Sequence, residues 1–340
     1  MGLHGISAGA AFVLTCKIAS IHAADSLARS SPPIVHDPVT AVAQLFRTGL
    51  RDTDAPAWRE DELVPAAAEA RERGLLDANS ESGLSDAGEN YAHVLVGRLL
   101  SSDLLREFPS DTYCLRNLYG PFYGASGPVS IDQIDAIMEC LVHAGSRNVL
   151  DLGCGNGVLT CEMQRRSGGR YLGVDRSRAH INEATARAHS LQVKFRHDDL
   201  EAASFPKECA ELDTGVDAVL AVDVLHELRD PTWLLARLQR FLPGVRLYIL
   251  STSHEGAGVS EAERISDAFR INSIPYIVQD HSPALLRYWT RLEDLLTTHC
   301  AEYLSEGAGL IHGVRMLAAK RMQGRVQAGH TRRLLFIGEA

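Results

Sequence analysis

Two acids and three glycines are the residues of this chain best spaced to do chemistry. Asp151-Leu-Gly-Cys-Gly-Asn-Gly157 follows a short apolar run, Val149 to Leu152. Glycine at 153, 155 and 157 allows positive φ and lets a ligand come close to the backbone. A helix beginning after such a turn points its free N–H groups at whatever lies in the turn. The spacing is Gly-x-Gly-x-Gly, not the Gly-x-Gly-x-x-Gly of dinucleotide enzymes. A second acid, Asp175, ends Arg170-Tyr-Leu-Gly-Val-Asp175, 24 positions after Asp151. A carboxylate at the tip of a second strand can accept two hydrogen bonds from a ribose diol. Nicotinamide enzymes use the same device, so Asp175 alone does not choose the ligand. His226, in Asp223-Val-Leu-His226-Glu227, is of the residue type best suited to a general base.

The elements that must position these residues alternate along the chain. Apolar runs at 149–152, 170–175, 193–197, 217–223, 246–250 and 333–337 read as strands. Ser177 reads as the cap of an alanine-rich helix over Ala179 to Ala188. Strands alternating with helices of this length predict a mostly parallel, doubly wound α/β sheet. Ligands of such sheets bind beyond the C-terminal strand ends, which puts the loop carrying His226 over the site.

Asp151-Leu-Gly-Cys-Gly-Asn-Gly157, with Asp175 and Leu242-Pro-Gly244, resembles the motifs of the class I S-adenosylmethionine (SAM) methyltransferases over residues 129–340. That resemblance implies a seven-stranded, Rossmann-like sheet. It implies that Asp151, Gly153, Gly155, Gly157, Asp175 and Asp223 hold SAM, with Asp198 on the adenine amino group. Tyr119-Gly-Pro-Phe-Tyr-Gly124 either folds Tyr123 over the methionine part or is a plain linker.

Val224-Leu-His-Glu227 resembles, more narrowly, bacterial methyltransferases that act on the β-carbon of α-keto acids such as 2-ketoarginine and phenylpyruvate. The likeness implies a metal on His226, Glu227 and a later histidine, here His281. Two histidines and a carboxylate suit Fe(II) and also Zn(II). A metal would stabilise the enolate that a carbon nucleophile needs. The alternative is metal-free O- or N-methylation of a small secondary metabolite, with His226 as base. Glu227 would then cap a helix or pair with Arg229, and His281 would contact nothing. A SAM-binding regulator or non-catalytic dimer partner is the reading from another class.

The 340 residues have room for two domains, divided at 128/129. Residues 36–110 resemble short helices with a winged-helix-like turn, the kind of mainly helical domain that precedes many such catalytic domains and makes a homodimer. A net charge of −9 argues against nucleic acid as a partner. Seven cysteines without Cys-x-x-Cys spacing fit a reducing, cytoplasmic setting. Ala8 to Ala24 is interrupted by Lys17 and reads as a helix with Leu14, Ile18 and Ile21 on one face, not as a membrane span. In the helix over 283–297, Arg287 and Arg291 read as a solvated face or as carboxylate binders. Residues 307–323 show no period.

Overall fold

The computed structural model describes residues 108–340 except 126, 207–214, 256–258 and 307. The winged-helix-like segment, the helix bearing Leu14, Ile18 and Ile21, and the dimerisation role given to them lie outside the described residues. In chain order the helices and strands are α1 (Pro109–Tyr119), α2 (Ile131–His143), β1 (Asn148–Leu152), α3 (Val158–Ser167), β2 (Arg170–Asp175) and α4 (Arg178–Arg187). Then come β3 (Val193–His197), β4 (Ala218–Val222), α5 (Pro231–Phe241), β5 (Arg246–His254), α6 (Glu261–Ile271) and β6 (Tyr276–Asp280). The chain closes with α7 (Ser282–Thr298), α8 (Cys300–Ser305), α9 (Gly309–Gln327) and β7 (Thr331–Glu339).

The strands form one seven-stranded sheet in the order β3-β2-β1-β4-β5-β7-β6. The first five pair in parallel, and β7 runs antiparallel to both β5 and β6. Strand order reverses between β1 and β4, so their C-terminal ends form the cleft where such sheets bind ligands. The central strands β1, β4 and β5 are anchored by burial on both faces. Leu150, Val219, Leu234, Leu238 and Phe269 pack on one side. Val149, Tyr171, Leu220, Ile134 and Met138 pack on the other. Each such side chain contributes about 1.5–3 kcal/mol relative to exposure.

The expected mostly parallel sheet is present, with differences at its far edge. β6 is not among the strands read from the sequence: Tyr276–Asp280 is an edge strand without a fully buried residue, and its apolar part is only Tyr276-Ile-Val278, directly after Pro275. α9 covers most of the segment that shows no period. Ile311, Arg315, Met316, Ala318 and Ala319 are buried on one broad side of the helix, and the buried charge of Arg315 among them breaks the apolar pattern.

Two compact units are found, and among the described residues one comprises 118–289 with 322–340, the other 108–117 with 290–321. The sequence reading divides the chain at 128/129 instead. The first unit carries the sheet. In the second, Asp111 is fully buried and accepts two hydrogen bonds from Arg315, one of 2.8 Å from Nη2, and one of 2.9 Å from the Tyr303 hydroxyl. No described helix is long and apolar enough to cross a membrane.

Candidate active site

The glycine turn is shaped by the strands beside it. Gly153 N and Cys154 N both donate to Val174 O, at 2.8 and 3.0 Å, tying the turn to β2. Gly153, Gly155 and Gly157 all have positive φ. A Cβ at Gly157 would lie 2.6 Å from Phe195 and 2.8 Å from Ala184, so only glycine fits there. A Cβ at Gly155 would meet nothing within 4 Å, so the space over that residue is open. Gly157 caps α3 with no side chain, which leaves the first N–H groups of the helix facing the turn.

The acids sit around that opening. Asp175 Oδ2 accepts from Gly155 N at 2.9 Å, and Oδ1 from Ser177 N at 2.7 Å. Asp198 follows β3, its backbone N donating to Asp175 O at 3.1 Å and its carboxylate taking Arg196 at 2.8 Å. Asp151 lies behind the turn, almost fully buried, and accepts from Thr160 Oγ1 at 2.5 Å. Burial pushes its carboxyl up to about 7, the Thr160 hydroxyl opposes the rise, and the charge of Asp175 adds to it. Asp151 therefore ties the end of β1 to the first turn of α3 from behind the glycine turn. Asn156 Nδ2 donates to Gly124 O at 3.1 Å, which fastens the Tyr123–Gly124 segment over the same turn.

Beyond β4 the chain turns sharply. Asp223 takes φ 52°, rare for a non-glycine residue, and its N donates to Leu250 O at 2.9 Å. Its Oδ1 accepts from Arg333 Nη1 on β7. Leu225–Glu227 then forms a 3-10 turn, with buried Leu225 anchoring it and His226 left 39% exposed beside the cleft.

Residues 149–243 match the family model described as "Methyltransferase domain". Residues 149–243 are thus similar to a methyltransferase domain. An uncharacterized methyltransferase of Mycobacterium tuberculosis is 30% identical over 119 residues, 34% of this chain and 56% of that protein. The ubiquinone biosynthesis O-methyltransferase of Xanthomonas oryzae pv. oryzae is 31% identical over 143 residues, 41% of this chain and 55% of the other. The chain thus spans about half the length of these curated relatives. Phosphoethanolamine N-methyltransferase 2 of Haemonchus contortus, solved with S-adenosylhomocysteine, shares the fold at TM-score 0.53 and 18% identity, over 69% of this chain and 59% of that one.

The residues expected to hold SAM gather at one edge of the sheet. The expected metal ligands do not. Among the described residues no group of three or more His, Cys, Asp or Glu side chains is placed to hold a metal ion. Glu227 Oε2 turns to Arg176 at 3.2 Å, and only its other oxygen comes within 3.4 Å of His226 Nε2. His281 N donates to Arg333 O at 2.7 Å, and its ring faces Gln279 Oε1 at 3.4 Å. Burial and the Arg333 cation both depress the His281 pKa. A ligand triad of His226, Glu227 and His281 does not form at these positions: His226 and Glu227 lie together, and the His281 ring faces Gln279 instead. Arg287 forms an exposed ion pair with Asp132.

The sequence reading passed over two side chains at this edge. His254 ends β5, its Nδ1 3.0 Å from Thr331 Oγ1, and burial depresses its pKa. His226 and Asp223 lie near enough to act on its charge. Arg333 is fully buried. Its sequence signal was a charge in phase with buried Leu335 on a strand of period 2.

Proposed function

We propose that the protein moves a methyl group from SAM to a nucleophilic oxygen or nitrogen of a small-molecule acceptor, with His226 as the general base. The observation carrying this reading is the tie between the glycine turn and Asp175, with open space over Gly155. The relatives named above as methyltransferases support it.

The residues present fit SAM. The Asp175 carboxylate would take the ribose hydroxyls, and Asp198 would face the adenine. The turn Gly153–Gly157 and the Tyr123 segment would enclose the methionine part. When bound, SAM supplies an electrophilic methyl group on a sulfonium. The chain's own residues do the remainder. The turn and Asp175 fix the donor's position, supplying the orientation that a displacement needs. His226, on its short turn after β4, takes the acceptor's proton as the new bond forms.

C-methylation of an α-keto acid needs an enolate stabilised by a Lewis acid. Among the described residues the three side chains expected to hold that ion form no group, so the His226 reading is the better supported of the two. The test is S-adenosylhomocysteine formation from SAM with a panel of phenols, alcohols, amines and α-keto acids. His226→Gln should abolish turnover while S-adenosylhomocysteine still binds by calorimetry. Absence of any nucleoside binding to the wild type would sink the reading.

A further inference from the structure

His254, the last residue of β5, lies opposite Thr331, the first of β7, and its Nδ1 stands 3.0 Å from the Thr331 hydroxyl. Which of the two donates is decided by a third residue. Thr331 Oγ1 already accepts from Arg325 Nε at 3.1 Å, and a guanidinium only donates. Arg325 is held in that role, because its Nη2 is shared between the carbonyls of Glu255 and His330. Thr331 is fully buried, and among the described residues His254 Nδ1 is the acceptor its hydroxyl proton can reach. A buried hydroxyl uses its proton, so Thr331 donates, Nδ1 accepts, and the neutral ring carries its own proton on Nε2. Burial does most to keep the ring neutral; Arg325 and His226 add to this, while Glu261 and Asp223 oppose it.

The Nε2 edge of the ring faces away from β7. β5 has β7 on one side and β4 on the other, so Nε2 turns toward the side from which the loop bearing His226 rises. His226 and Asp223 are both near enough to act on the charge of this ring. Neither histidine is sealed off: His254 is exposed at its strand end, and His226 is 39% exposed. Among the described residues His254 Nε2 has no hydrogen-bond partner. Resting on the methyl-transfer reading above, we infer that His254 determines acceptor specificity, its Nε2–H donating to an oxygen lone pair next to the nucleophile whose proton His226 takes. The acceptor class is a hydroxyl or amine with an ether, carbonyl or carboxylate oxygen on the neighbouring carbon. His254 is not a second base, because one ring nitrogen is occupied by Thr331 and the other carries the proton.

The tautomer is read without any acceptor. In a long-range proton–nitrogen NMR spectrum of protein with isotope-labelled histidine at neutral pH, His254 should show hydrogen on Nε2 and none on Nδ1. Its signal is identified by its loss in His254→Gln. Thr331→Val removes the hydroxyl and should bring the Nδ1–H form into view. Hydrogen on Nδ1 in the wild type overturns the inference. Specificity is probed with ortho- and para-methoxyphenol, isomers whose second oxygen only accepts and lies beside the phenol or across the ring. Wild-type kcat/KM should be on the order of 10-fold higher for the ortho isomer. His254→Phe should erase that ratio through KM, and His254→Gln, which keeps an N–H near the Nε2 position, should retain most of it. S-adenosylhomocysteine should bind both variants as it binds wild type, and circular dichroism checks that they fold. The same ratio in wild type and His254→Phe, or turnover of neither isomer by protein that binds S-adenosylhomocysteine, overturns the inference. Failure of the wild type to bind S-adenosylhomocysteine overturns instead the methyl-transfer reading.

Discussion

Gly155 N–H donates to Asp175 Oδ2 at 2.9 Å, so the acid at the tip of β2 is fastened to the turn that follows β1. Ser177 N fills the other oxygen at 2.7 Å. Asp175→Ala should therefore loosen the turn as well as remove a ligand contact. Hydrogen bonds to a charged group are worth about 1.5–3 kcal/mol each, so S-adenosylhomocysteine affinity should fall at least about 10-fold. Calorimetry checks it, and an unchanged affinity would exclude Asp175 from the site.

The glycines of the turn should respond unequally to alanine. At Gly157 the added Cβ meets Phe195 and Ala184 below 3 Å, and φ is 74°. Overpacking of about 1–3 kcal/mol adds there to conformational strain of about 1–2 kcal/mol. At Gly155 only the strain applies, because the space is open. Urea denaturation should show Gly157→Ala as clearly the less stable variant.

Asp151 makes stability depend on pH. Its folded pKa is raised by burial to about 7 from an ordinary 3.8, so between those values the folded chain holds a proton that the unfolded chain has lost. This contribution is complete below pH 3.8 and is lost as pH rises through about 7. The slope is at most about 1.4 kcal/mol per pH unit. Asp151→Asn should flatten the fall between pH 4 and 7 in thermal melts, and identical profiles would refute the assignment.

His226→Gln should lower kcat by about 10²–10⁴-fold, the usual contribution of general base catalysis. Binding of S-adenosylhomocysteine should not change, since His226 sits partly exposed on its own turn beside Glu227. A variant that keeps wild-type turnover would exclude His226 as the base.

In the second unit, Asp111→Ala would strand the buried Arg315 cation. Breaking a buried pair by removing one partner costs about 3–5 kcal/mol. Replacing both, as Asp111→Leu with Arg315→Met, should cost less in the same denaturation experiment.

The cofactor half of the site was legible because its residues are local. A turn from strand to helix needs positive φ at 153, 155 and 157, and each acid sits at the end of its own apolar run. Those demands act on neighbouring residues, so the sequence alone showed them, together with the mostly parallel sheet. The acceptor half depends on residues brought together from far apart. Arg333 meets Asp223 across 110 positions because β7 pairs antiparallel with β5. Pairing of β6 with β7 sets His281 beside Arg333, and among the described residues it joins no triad with His226 and Glu227. Edge strand β6 and the packing of α9 were equally invisible, since β6 has no buried residue and the buried side of α9 includes a charge, Arg315. Spacing along the chain fixes local backbone geometry; the neighbours of a buried charge are decided by strand order and register, which only the folded sheet supplies.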